Sequence, residues 1–245
     1  MVAADWRSIG IVAILFLATF IRSAFGFGEA LVAVPLLALI MPVEVAAPVA
    51  VLVSITVASI VLLQDWRKVH IRSATWLILF TLLGTPLGLL LLTRVDARIV
   101  KCLLAIVIVG FSSYSLIRRR HLALNNDGLA WLFGFVAGIL GGAYGMNGPP
   151  LVIYGSLRGW SPQHFRATLQ GYFLPASIVG MCGYWLAGLW TARVTHDYLI
   201  ALPAIIVAIF LGRTANHRMS GRSFLRYVHA GLIVVGAILL VQSLR

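Results

Sequence analysis

Charge is scarce in this chain, and acidic charge scarcest. Only 11% of its 245 residues are charged, and seven are Asp or Glu. A soluble domain of this length carries about twice that charged fraction. Lysine is nearly missing, with Lys68 and Lys101 both beside predicted loops, so a buried Ser–Lys dyad is not expected. The two cysteines, Cys102 and Cys182, both fall within apolar runs. That placement suits small packing residues, not a disulfide framework or a metal site. There is no HExxH, no Gly-x-Ser-x-Gly and no Walker loop, which removes the common metalloprotease, hydrolase and nucleotide-binding signatures. The chain is therefore not expected to be an enzyme, and no catalytic residue, metal or cofactor is expected. The six histidines lie almost all in loops, against a buried metal cluster. A cleaved signal peptide does not fit either, because Asp5 and Arg7 make a weak leader for an overlong apolar run.

What fills the chain is apolar residues, 61% of the total, with a mean hydropathy of +0.99. Several runs reach the roughly 20 residues needed to cross a hydrocarbon core of about 30 Å. Spanning segments must satisfy their backbone groups internally, as helices or as a closed barrel. Barrel strands alternate in polarity and these runs do not, so the fold class is an all-α polytopic membrane protein. The net charge of +12 does not point to nucleic acid, because no folded polar domain carries it. It sits in short loops between apolar runs.

The runs repeat. A block over 9–41, interrupted by Phe25-Gly26-Phe27-Gly28-Glu29, precedes spans near 43–63, 74–92 and 99–117. A block over 128–157, interrupted between Gly141 and Pro150, precedes spans near 165–189, 198–211 and 224–244. A broken block plus three spans, twice, is an internal repeat, with residues 1–120 as the first unit and 121–245 as the second. The motif residues agree, since Phe25-Gly26 and Gly28 stand at the same offset as Tyr144-Gly145 and Asn147.

Length and charge predict how the blocks lie. At 1.5 Å per residue, the legs after the breaks cover roughly 18 Å (Ala30–Met41) and 13 Å (Pro149–Leu157), too short to cross. Each block is therefore expected to be a re-entrant hairpin that turns near the midplane and leaves on the side it entered. Twelve basic residues then lie inside, among them Arg118, Arg119, Arg120, Arg158 and Arg213. Six lie outside, and Arg22 stays within the membrane. That bias obeys the positive-inside rule. It also inverts the second unit relative to the first, a plan common among secondary transporters, whose sites lie at the midplane between broken helices.

The candidate binding residues follow from that plan: Arg22, Gly26, Gly28, Glu29, Gly145, Asn147, Gly148 and Arg166. Helix N-termini after the two glycine motifs offer free N–H groups and a positive dipole end to an anion. Glycines let the backbone approach closely, though they also suit tight helix packing. Arg22 is too costly at this depth without a partner or a function. It is an anion ligand, a salt-bridge partner of Glu29, or a snorkelling side chain. Glu29 reads as structural or proton-linked, since its carboxylate repels an anion. Arg166 is either an inside-loop charge or reaches the inner vestibule. Ser54, Gln170 and Tyr172 line a pathway or serve as polar contacts between helices. Pro86 is expected to kink its span.

These motifs resemble a known family. Gly26-Phe27-Gly28-Glu29-Ala30-Leu31-Val32-Ala33-Val34-Pro35-Leu36-Leu37 is similar to the first repeat of the sulfite exporter TauE/SafE family, also called the toluene-sulfonate uptake permeases. Gly148-Pro149-Pro150-Leu151-Val152, Arg158-Gly159-Trp160 and Phe165-Arg166-Ala167-Thr168 are similar to its second repeat. The likeness covers nearly the whole chain and departs at Glu29, where many members continue the glycine run. It implies a multi-pass permease of the bacterial inner membrane for sulfite, organosulfonates or related small anions, driven by an ion gradient. The partners implied are a small anionic substrate, the lipid bilayer and a coupling ion (proton or sodium), with a homo-oligomer left open. The alternatives are a cation- or proton-coupled permease for another solute, a membrane-embedded enzyme, or a structural or regulatory membrane subunit.

Overall fold

A computed structural model describes residues 6–65, 71–117, 124, 126–160, 162–216 and 221–243. Among them are ten α-helices and no strand. They are α1 (Trp6–Phe25), α2 (Glu29–Leu37), α3 (Val43–Asp65), α4 (Ile71–Arg94) and α5 (Ala97–Ile117), then α6 (Ala130–Tyr144), α7 (Gly148–Leu157), α8 (Pro162–Leu186), α9 (Ala192–Asn216) and α10 (Gly221–Ser243). Five of these, α1, α3, α4, α5 and α9, are long and apolar enough to cross a membrane.

The outward surface is apolar. On α4, Trp76, Leu79, Leu83, Leu87 and Leu90 recur at helical spacing and are all exposed. Lipid is the solvent that tolerates such a face, which in water would be a large sticky patch. Inward faces use smaller residues and the few polar ones. The buried stripe of α1 runs Ile11, Leu15, Ala18, Thr19 and Arg22.

Both interrupted blocks fold as hairpins. Helix α1 stops at Gly26 and α6 at Gly145, whose φ values of +87° and +64° are cheap only without a Cβ. The chain then doubles back. A Cβ on Gly10, early in α1, would stand 3.8 Å from Ile40, just beyond α2. In the second block the Leu124 amide, ahead of α6, donates to the Leu157 carbonyl at the end of α7 (2.7 Å). Asp127 ties the same two ends together, accepting from Tyr154 (2.6 Å) and from Ser73 of α4 (2.9 Å) and pairing with Arg158 (3.3 Å).

Helices of the two halves pack in a reciprocal pattern: α1 on α9, α6 on α4, α3 on α8 and α5 on α10. Helices α4 and α6 nearly touch through their backbones. A Cβ on Gly84 would lie 2.2 Å from the Phe135 carbonyl oxygen, and one on Gly88 2.0 Å from that of Ile139. On the other side Gly212 of α9 meets the Phe20 carbonyl of α1 in the same way, at 2.6 Å.

Several expectations shift. Helix α9 begins at Ala192, six residues before its apolar run, because its first turns carry Arg193, His196 and Asp197. Leg α2 ends at Leu37, and a turn over 38–41 leads into α3. Cys182 is exposed and Cys102 half-buried, so Cys182 does not serve the internal packing expected of it. The loop residues Arg67, Lys68, Arg118, Arg119, Arg120 and Arg218 lie outside the described residues.

Candidate functional site

The two hairpin tips meet in the interior. Helix α2 starts at Glu29 after Gly28 (φ +99°), and α7 starts at Gly148 after Asn147; neither has a side-chain cap. The first amides of a helix have no acceptor within it, so two positive helix ends point into one small cavity. Its lining includes Arg22, Gly28, Glu29, Asn147, Gly148 and Phe173. The room open to the centre of a water molecule is about 20 Å³, enough for roughly one water. Pro149 and Pro150 occupy the first turn of α7 and supply no N–H, so on that side the donor is the Gly148 amide. The two N–H groups of the Asn147 side chain are taken by the Ala137 carbonyl (3.2 Å) and the Tyr172 hydroxyl (3.3 Å).

Arg22 is 3% exposed, and its guanidinium joins four helices. Nη1 donates to Glu29 Oε2 of α2 and to Ser54 Oγ of α3 at 2.7 Å. Nη2 donates to Gln170 Oε1 of α8 at 2.8 Å. The Phe173 ring lies 4.8 Å from its central carbon, a cation–π contact. Of the alternatives for Arg22, the ion pair with Glu29 is present, and snorkelling is not. Two polar atoms in the pair, Arg22 Nε and Glu29 Oε1, have no hydrogen-bond partner among the described residues. Each is costly to leave so in a low-dielectric interior.

Each tip is braced from the opposite half. Gln170 of α8 donates to the Gly26 carbonyl at 2.8 Å. Gly145 leans on α3, where a Cβ would come within 2.8 Å of Val51. Between them Ser177 of α8 donates to Ser54 of α3 (3.0 Å).

The fold thus brings together Arg22, Gly28, Glu29, Gly145, Asn147 and Gly148 at the cavity wall. Gly26 contributes its carbonyl to the brace just behind it. Arg166 lies on α8, and its side chain is outside the described residues. Ser54 and Gln170 stand against Arg22, whereas Tyr172 is a contact between helices, bonded to Thr81 of α4 (2.6 Å) and to Asn147. Sequence reasoning did not single out Phe173 and Ser177. They share one helix face with Gln170, but the sequence does not say what that face meets.

A family model described as "Sulfite exporter TauE/SafE" matches residues 11–240. A protein of Cupriavidus necator named "Probable sulfite/organosulfonate exporter TauE" is 28% identical over 244 residues, covering 96% of this chain and 94% of that protein. No solved structure matches. A match over almost the full length, on a bundle whose outside is apolar and whose buried Arg22–Glu29 pair sits at the tips of two broken helices, makes the chain a member of the TauE/SafE sulfite exporter family, multi-pass membrane transporters and not enzymes.

Proposed function

We propose that this protein is a secondary transporter of the bacterial inner membrane that carries a small anion, either sulfite or an organosulfonate. The observation that carries the reading is the convergence of two helix N-termini and one buried guanidinium on a single interior cavity. Fixed N–H dipoles and an arginine fork are the groups that recognise a tetrahedral or pyramidal oxyanion. The name of the Cupriavidus necator relative, a sulfite/organosulfonate exporter, supports the sulfur oxyanion class.

In this reading the two hairpins are re-entrant and residues 1–120 and 121–245 are inverted repeats. The reciprocal packing of α1 on α9 and α6 on α4 supports that plan, as does the return of each hairpin to its starting end. Alternating access is a rocking of one repeat against the other about the tips. The cavity holds about one water, so an anion enters only when the tips separate.

The test is direct binding to purified protein, followed by thermal shift across sulfite, methanesulfonate, taurine and acetate. Stabilisation by sulfite or a sulfonate at concentrations where chloride has no effect is expected. Silence across the panel, from protein shown to be folded, overturns the reading.

A further inference from the structure

Glu29 is the one feature of the site that an anion receptor does not need. Its carboxylate is 2% exposed, sits in the first turn of α2 and grips the guanidinium that the site offers to an anion. It fills the role of the guest. A carboxylate oxygen on Arg22 at a helix N-terminus is chemically what a bound sulfonate oxygen would be. The second carboxylate oxygen, Oε1, has no hydrogen-bond partner among the described residues.

Among the described residues Arg22 and Glu29 are the only charged groups lining the cavity, and together they are neutral. An anion added beside an ionised Glu29 would place two negative charges around one positive charge in a low-dielectric space, which is unfavourable. Removing one negative charge restores balance. We infer that Glu29 is the proton-coupling group of the anion site: it holds Arg22 while the site is empty, and takes up a proton and releases Arg22 when an anion binds. This rests on the anion-transport reading above.

The step balances. A proton from water adds to the carboxylate, giving a neutral acid, and the Arg22 Nη1 bond passes from Glu29 to the incoming oxyanion. The site is neutral before, as Arg⁺ and Glu⁻, and neutral after, as Arg⁺, the acid and a monovalent anion. One proton therefore accompanies each anion across.

The surroundings supply no rival among the described residues. Of the elements packed against α2, helix α1 brings Arg22 to the carboxylate, α3 brings Ser54 to the cavity and α7 brings Gly148. Glu44 on α3, Tyr154 on α7, Arg98 and Lys101 on α5 and His229 on α10 do not line it. His229 instead stands against Phe111 and Ser112.

The experiment is calorimetric titration of purified protein with methanesulfonate, whose single negative charge does not change over the working pH range. Sulfite is run in parallel, corrected for its own proton. Repeating each titration in buffers of different ionisation enthalpy counts the protons taken up. The wild type is expected to take up about one proton per anion, with affinity falling about tenfold per pH unit as pH rises where Glu29 is ionised in the empty site. E29Q is expected to bind without proton uptake and with an affinity flat in pH. Anion binding by the wild type with no proton uptake, or uptake that persists in E29Q, overturns this inference and leaves the anion reading standing. If E29Q does not fold, the wild-type proton count alone decides. Failure of both anions to bind overturns the anion reading and this inference with it.

Discussion

Arg22 and Glu29 are buried in a chain with very few charges, and each makes the other tolerable. Removing one partner of a buried pair leaves an uncompensated charge, at a cost of about 3–5 kcal/mol. Arg22→Ala is therefore expected to lower stability by about that much, read as a fall in the thermal midpoint. Adding Glu29→Gln to that variant should recover part of the loss, and a double-mutant cycle showing no coupling would contradict the pairing. Arg22→Lys should not rescue anion binding, because an ammonium lacks the fork that reaches Ser54 and Gln170 together. Gln170 does two jobs, accepting from Arg22 and donating to the Gly26 carbonyl. Gln170→Ala is expected to cost about 1–3 kcal/mol by leaving both unmatched, read as a fall in the thermal midpoint.

Among elements, the α4–α6 pair is the tightest. Its glycines meet carbonyl oxygens of the facing helix, and backbone cannot yield as a flexible side chain does. Gly88→Val should force the helices apart and lower the thermal midpoint, with an overpacking cost of about 1–3 kcal/mol or more. Gly110→Ala on α5 is the matched control, since nothing lies within 4 Å of its Cβ position; helix propensity should make it neutral or slightly stabilising. Equal losses in both would show that close backbone approach does not decide the effect. The second hairpin is also held at its open end. Tyr154→Phe deletes the hydroxyl that donates to Asp127, and a cost of about 1–2 kcal/mol is expected. Unchanged stability would show that this bond does not hold the ends of α6 and α7 together.

For the whole molecule, re-entrance makes a prediction that a single crossing does not. Trp6 and Pro42 bracket the first hairpin, Leu129 and Gly159 bracket the second, and all four are exposed. With Cys102 and Cys182 replaced, single cysteines at 6 and 42 should react with an impermeant maleimide from one side of intact cells. Cysteines at 129 and 159 should both react from the other side. Labelling of 6 and 42 from opposite sides would mean that the first block crosses once, and would remove the inverted-repeat plan.

Membrane residence and helical class are legible in the sequence because they depend on summed quantities, the length and polarity of runs measured against the thickness of a bilayer. The breaks are legible for a local reason: clustered glycines and paired prolines in apolar runs have few other uses. Arg22 stood out because a charge inside an apolar run is expensive wherever it points. Its partner Glu29 was legible too, seven residues on across the break, but the other groups that hold the guanidinium were not. Gln170 lies 148 residues from Arg22 and Ser54 lies 32 away, and no local pattern reports on contacts set by how helices pack. Phe173 and Ser177 went unremarked because a phenylalanine or serine in an apolar helix looks the same whether it faces lipid, a neighbour or a cavity. The sequence alone thus determined that two broken helices and one costly arginine exist. Only tertiary packing decided that both tips and the arginine converge on one cavity and that, of the roles open to Arg22, the pair with Glu29 is the one made, because the meeting of these side chains depends on how α1, α2, α3 and α8 cross and not on spacing along the chain alone.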